Sequence, residues 1–358
     1  MSRITPADRG TGSRRSGIDV GSERLPRWLT WLAGGVLWVL AGTVAAKGLI
    51  VLGDDSAAYR QVADELQTGL ASAPGLDGGM DRTTVARLAD AGGSVLGGYQ
   101  VVVTVGLAAA KLAIPHGTAV ADPPVTLCLL IPRQSFEELV SARSARRDGR
   151  LSALYIDQPL SRQMDLLRLA LPDKRRVGVI LGPSSSRLGD ELRVTALQRG
   201  LSLSVAEVAE PSDVYGALQR IMPGSDLLLM VPDPVATDPD TVYGLMLTSY
   251  RAQIPLVGFS EGLVKSGALI SLYSTAQQQG REGAEIVRRF LAEGGSLPAP
   301  NHPGYFTVRV NQSVARSLGL QMEEGAELAK ALDQLGADAV EPVDARPGDA
   351  GGQPRGRP

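Results

Sequence analysis

Arg176-Val177-Gly178-Val179-Ile180-Leu181-Gly182 runs directly into Pro183-Ser184-Ser185-Ser186, and the segment after it reads as helix to about Arg199. A strand buried on both faces shows a continuous apolar run rather than an alternating one. A strand, a proline-serine loop and a covering helix therefore make one unit of a parallel sheet. The same rhythm recurs on both sides of this stretch. Toward the C-terminus, strands are expected at Leu201–Val208, Asp226–Val231, Ile254–Phe259, Ala268–Tyr273 and Tyr305–Val310. Helices are expected over Asp213–Met222 and Ser313–Leu318, and after Asp238-Pro239, where proline occupies the first turn. Ser274-Thr275-Ala276-Gln277 matches a capping box opening a helix to about Leu291.

Toward the N-terminus, Gly48–Gly53, Gln100–Val105 and Val125–Ile131 read as strands. Ala57–Leu70, the segment after Gly106, and Ser135–Arg143 read as helices. The glycine-rich stretch Ala73–Gly98 is expected to hold a helix over Arg82–Ala91, with a strand missing or very short. The sum is an α/β chain of two doubly wound parallel-sheet lobes joined by a hinge. Residues 47–154 are assigned to the first lobe and 155–273 to the second. Residues 274–335 hold a C-terminal helix, a crossover strand and a closing helix. From about Gly336 the chain is Gly, Pro, Asp and Arg without periodicity, and 336–358 is expected to be a disordered tail.

Composition narrows the function. A chain of 358 residues, 44% hydrophobic and 21% charged, has room for two ordinary domains. A formal net charge of −2 gives no reason to expect nucleic acid as a partner. The single cysteine, Cys128, lies in an apolar run and reads as a buried, inert thiol, which excludes an intramolecular disulfide and a cysteine-based metal site. Neither half carries Gly-x-Gly-x-x-Gly or Gly-x-x-x-x-Gly-Lys-Ser/Thr, so no nucleotide, and no other cofactor or metal, is expected.

Trp28–Ala46 is an uncharged stretch of about 19 residues, long enough to cross a bilayer. It follows a basic leader, residues 1–27, with Arg14, Arg15, Arg24 and Arg27, so the positive-inside rule leaves the leader cytoplasmic. It ends in the small residues Val44-Ala45-Ala46. A cleaved signal peptide and an uncleaved signal anchor both fit. Either places the rest of the chain in the periplasm, the anchored form held to the inner membrane through 28–46.

Several segments together resemble the periplasmic substrate-binding proteins of ABC transporters of the tryptophan/tyrosine type. They are Lys174–Ile180 with Pro183-Ser184-Ser185, Ile254-Pro255-Leu256-Val257-Gly258, Val264-Lys265-Ser266-Gly267-Ala268-Leu269, and Asn311 through Ala315 to Leu318-Gly319-Leu320. The resemblance covers roughly Lys47 to Met322. It implies the type I periplasmic-binding fold, with crossings between lobes near Leu151–Asp157, Ala268–Ser274 and Pro298–Tyr305.

In open α/β sheets, ligands sit beyond the carboxyl ends of strands. That rule selects Asp54-Asp55-Ser56, Gly106-Leu107, Ser184-Ser185, Asp233 and Ser260-Glu261, with Tyr273 at a proposed hinge. Each also has a plain structural reading: Ser184 and Ser185 as helix caps, Asp233 between prolines as a turn former, Tyr273 as packing. Two positions depart from what the resemblance implies for amino-acid uptake. Leu107 stands where a threonine or serine helps hold the carboxylate, and Ser260 stands where an aspartate suits the ammonium. The ligand is therefore expected to be a small organic molecule other than a standard amino acid. All three tryptophans lie in the export segment, which argues against a stacked sugar.

Two function classes remain. One is a monomeric solute-binding protein delivering its ligand to an ABC permease or a sensor. The other is a ligand-free envelope interaction protein partnering a receptor, for instance an outer-membrane receptor system. Catalysis is not expected: Ser184, His116 and Asp233 form no recognisable nucleophile elbow, and His116 falls in the other lobe.

Overall fold

The computed structural model describes residues 47–141 and 149–338. The apolar run Gly48–Leu52 forms β1, and Val101–Val105 forms β3; every residue of both is buried. They pair in parallel with β2 (Met80–Thr84), β4 (Val125–Ile131) and β5 (Leu151–Tyr155), in the order β2-β1-β3-β4-β5. Four helices alternate with these strands: α1 (Ala57–Leu70), α2 (Val85–Ala91), α3 (Leu107–Ala119) and α4 (Arg133–Ser141). β4 carries a bulge at its carboxyl end, where Leu130 adopts a left-handed φ of 52° and Ile131 pairs with Tyr155. The extra residue re-aims the chain as it enters Pro132 and α4.

The second sheet has the order β11-β10-β9-β8-β6-β7. Its strands are β6 (Arg176–Leu181), β7 (Ser202–Glu207), β8 (Leu227–Leu229), β9 (Leu256–Gly258), β10 (Ile270–Tyr273) and β11 (Thr307–Val310). All are parallel except β11, which is antiparallel to β10. The helices are α5 (Leu160–Ala170), α6 (Leu188–Gln198), α7 (Val214–Ile221), α8 (Pro239–Arg251), α9 (Glu261–Ser266), α10 (Ala276–Glu293), α11 (Gln312–Ser317) and α12 (Gly325–Asp338). Apolar layers lie on both faces: one joins Met164, Leu167, Leu192 and Leu332, the other Ala217, Leu218, Leu245 and Met246. The expected architecture of two parallel α/β lobes holds.

α10 begins where the second sheet ends but buries Ala284, Ile286 and Val287 in the first lobe's core, among Val62, Leu66 and Leu129. Two glycines make that approach close enough. A Cβ on Gly280 would lie 2.7 Å from the Val62 carbonyl oxygen, and one on Gly283 would lie 2.7 Å from Leu129. The chain passes between the sheets three times: after β5, between β10 and α10, and on the way from Asn301 to β11. Before the last passage, Asn301 is tied to β5, accepting from Tyr155 N–H (2.9 Å) and donating to the Ala153 carbonyl (3.0 Å).

Some local expectations are corrected. Arg82–Thr84 is strand, not helix: β2 is an edge strand of polar sequence held by β1 alone, so no burial pattern marks it. The capping box lies one residue later than expected. Thr275 accepts from Gln278 N–H, the Gln278 side chain accepts from Thr275 N–H, and Ser274 is left free for a different role. The tail assigned from Gly336 begins inside a helix, because α12 runs to Asp338. The leader and apolar segment, residues 1–46, and the rest of the tail lie outside the described residues. Among the described residues no helix is long and apolar enough to cross a membrane.

The glycine contacts yield opposite signs for one substitution. Gly280→Ala is expected to destabilise by about 1–3 kcal/mol through overlap with α1, despite alanine's better helix propensity. Gly244→Ala in α8, where nothing lies within 4 Å of the added methyl, is expected to stabilise by up to about 1 kcal/mol. Urea unfolding of both variants checks this, and equal signs would refute it.

Candidate functional site

The carboxyl ends of the two sheets face each other across a cleft of about 970 Å³, counted to its open mouth. The first lobe contributes Leu107 at the start of α3, Pro132–Ser135 at the start of α4, and Asp157 and Gln158 after β5. The second contributes Leu160 and Gln163 of α5, Ser184 and Leu188 after β6, Val231–Pro234 and Thr237 after β8, and Phe259 after β9. His302, on the third passage, completes the lining.

Of the expected site residues, Leu107, Ser184 and Asp233 are brought together here. The others do not line the cleft. Asp54 accepts from Ser56 N–H (2.8 Å) and Asp55 pairs with Arg60 (3.1 Å), all three residues of this loop being exposed. Gly106 serves the backbone: its φ is 91°, and a Cβ would lie 2.5 Å from the Tyr59 hydroxyl. Ser260 caps α9 by accepting from Leu263 N–H (3.2 Å). Glu261 pairs with Lys265 (3.1 Å) and Arg309 (3.0 Å). Tyr273 is buried at the end of β10.

Asp233, 2% exposed, is consumed internally. Its Oδ1 accepts from Val235 N–H (2.8 Å) and Ala236 N–H (3.1 Å), and its Oδ2 accepts from the buried Ser185 hydroxyl (2.8 Å). It shapes the Pro232–Pro234 turn and fixes the loop after β6. Asp157 is different. Its Oδ2 accepts from Arg133 N–H (2.6 Å), and among the described residues no other residue donates to its Oδ1. Burial pushes its carboxyl above the usual carboxylate range, against the opposing pull of the Arg133 N–H and His302. His302 donates from Nδ1 to the Asp157 carbonyl (2.9 Å).

Asp157, Gln158, Arg133 and His302 were not among the expected site residues. The strand-end rule finds the first three when it is also applied to the loops after β4 and β5. His302 stands on a connection without regular structure, and no periodicity signals it.

Arg133 spans the cleft mouth. Its guanidinium pairs with Glu191 of α6, with one leg at 3.2 Å, and lies 3.9 Å from Glu137. Beside it, the Gln134 amide in its satisfied orientation donates to the Ser184 carbonyl and accepts from Leu188 N–H (3.3 Å). Cys128, fully buried in β4, has its thiol pushed up to about 12 by burial, so it is no nucleophile.

The family model for ABC transporter substrate binding proteins matches residues 153–333, more than half of the chain. Three solved structures share the fold. A conserved domain protein from Vibrio cholerae O1 biovar El Tor is 21% identical over 80% of this chain and 98% of its own, with a TM-score of 0.55. An ABC domain from Streptococcus pneumoniae in complex with L-Trp is 16% identical over 79% and 98%, with a TM-score of 0.55. The ligand-free, open form of an adhesive substrate-binding protein from Clostridium difficile is 15% identical over 78% and 96%, with a TM-score of 0.60. No curated protein sequence matches the chain.

Two variants test this geometry. Glu191→Gln removes the ion pair across the mouth and is expected to enlarge the radius of gyration of the ligand-free protein in small-angle scattering. Its cost in stability should be below about 1 kcal/mol, because both partners are partly solvated; an unchanged radius would contradict a bridging role. For Asp157, a folded pKa above the unfolded one means that the ionised carboxylate costs stability at neutral pH. That cost vanishes as the pH falls through the raised pKa. Asp157→Asn should therefore gain on wild type at pH 7, and the gain should shrink toward pH 4. A difference that does not change with pH, measured by urea unfolding, would exclude this.

Proposed function

The chain belongs to the ABC transporter substrate-binding protein family, and we propose that it captures a small organic ligand between its lobes for an ABC-type permease or a sensor. The family is one of solute-binding proteins rather than enzymes, and its members work outside the cytoplasmic membrane. The observation that carries the proposal is the cleft itself: it joins the strand ends of both sheets and is lined by unspent polar groups among apolar walls. A ligand touching both sides stabilises the closed arrangement in proportion to contacts it makes only there.

The pneumococcal relative holds L-Trp, but two positions that the resemblance implies for holding an amino-acid zwitterion are altered here. Leu107 brings an apolar side chain to the start of α3, and Ser260 is committed to capping α9. The ligand proposed here is therefore not a standard amino acid. We place the protein in the periplasm, exported through residues 28–46 and monomeric.

Thermal unfolding of the full chain against a metabolite library tests capture. A ligand of the folded state present at a hundredfold excess over its Kd adds about 2.7 kcal/mol of stability and raises the midpoint. At least one compound outside the standard amino acids is expected to do so, and tryptophan and tyrosine are not. Silence across amino acids, sugars, organic acids, amines and nucleosides would overturn capture.

A further inference from the structure

We propose that the captured molecule carries a protonated amine, with the amine docking on Asp157 and an apolar body lying against the walls of the cleft. This rests on the capture reading and names its ligand class.

The charges of the lining support it first. Arg133 is its one lysine or arginine among the described residues, and Glu191 and Glu137 already neutralise that guanidinium. A ligand carboxylate would meet no unpaired lysine or arginine there. Several of the backbone donors that often replace a cation are taken as well. Asp157 occupies the first N–H of α4, Asp233 occupies two N–H groups of the turn after β8, and Ser260 occupies one at α9. The start of α3 brings Leu107 to the cleft and no polar side chain.

The unspent groups point the same way. Asp157 Oδ1 accepts, and Gln163, whose Nε2 donates to the Gln158 carbonyl (2.9 Å), has its carbonyl oxygen to spare. A lining that offers acceptors calls for a ligand that donates, and a half-used carboxylate in partial burial calls for a cation. Leu160, Leu188, Val231 and Phe259 supply apolar surface for the remainder of the molecule.

Calorimetric titration of the full chain with matched probe sets tests this. Primary amines from butylamine to phenethylamine are each compared with the alcohol and the carboxylic acid of the same body, and phenylalanine is added as zwitterion. At least one amine should bind at least about tenfold tighter than its alcohol and its acid, the value of one charged hydrogen bond. Asp157→Asn keeps a side-chain oxygen for the Arg133 N–H, since asparagine caps helices as well as aspartate does. It should weaken the amine at least about tenfold and leave the alcohol unchanged. Equal or tighter binding of the alcohol or acid, or an unchanged amine affinity in the variant, would overturn the proposal. If other compounds stabilise the protein while amines do not, the amine assignment falls and capture stands. If neither amines nor the metabolite library bind, both fall.

Discussion

The two sheets have separate cores, and what fixes one relative to the other is a short run of hydrogen bonds where the chain passes between them. Gln158, 4% exposed, donates to the Ser274 hydroxyl (2.8 Å), and Ser274 donates to the Tyr305 carbonyl (2.6 Å). These three residues sit on the three different passages. Arg162 joins the same run, donating to the Gln158 side chain (2.8 Å) and to the Pro303 carbonyl (2.9 Å), with its guanidinium 4.4 Å from the centre of the Phe306 ring. Gln279 donates to the Tyr155 carbonyl (2.8 Å), and Glu282 accepts from Gly304 N–H (2.9 Å). Backbone at such a passage leaves the ladders of both sheets, and side chains supply the partners that a half-buried polar group requires.

The cleft is a consequence of this lacing. Because every passage lies on the side where the parallel strands end, the loops after β4, β5, β6 and β8 converge, and the helix starts that follow them converge too. The two buried-side aspartates then part in role through their surroundings. Asp233 meets three donors and becomes part of the frame, whereas Asp157 meets one from a neighbouring residue and stays available. The same residue type is scaffold on one side of the cleft and a docking group on the other, decided by the count of nearby donors.

Much of the fold was legible because the buried strands obey one rule. β1, β3, β4 and β6 are continuous apolar runs, and each matched the expected position within a residue or so at either end. The Asp238 cap, which accepts from Asp240 N–H, was equally readable, since it depends only on local chemistry. β2 was not, because an exposed edge strand bearing Asp81 and Arg82 has no burial to reveal it. The one-residue shift of the capping box was also hidden, because Ser274 and Thr275 are equivalent as caps and only the distant Tyr305 carbonyl separates them. The site was legible in part. Strand ends selected Leu107, Ser184 and Asp233, but whether a polar group is spent or unspent depends on neighbours far away in sequence. Nothing local distinguishes Asp157 from Asp54.

Hydrogen exchange of the full chain, with and without the tightest-binding probe, reads the central claim that one ligand bridges both sheets at this cleft. The account predicts slowed exchange in the α4 start around Arg133–Ser135 and in the Pro232–Thr237 turn together, with no change in the loop at Asp54–Ser56, which does not line the cleft. Protection confined to the loops of one sheet, or located away from the cleft, would contradict it.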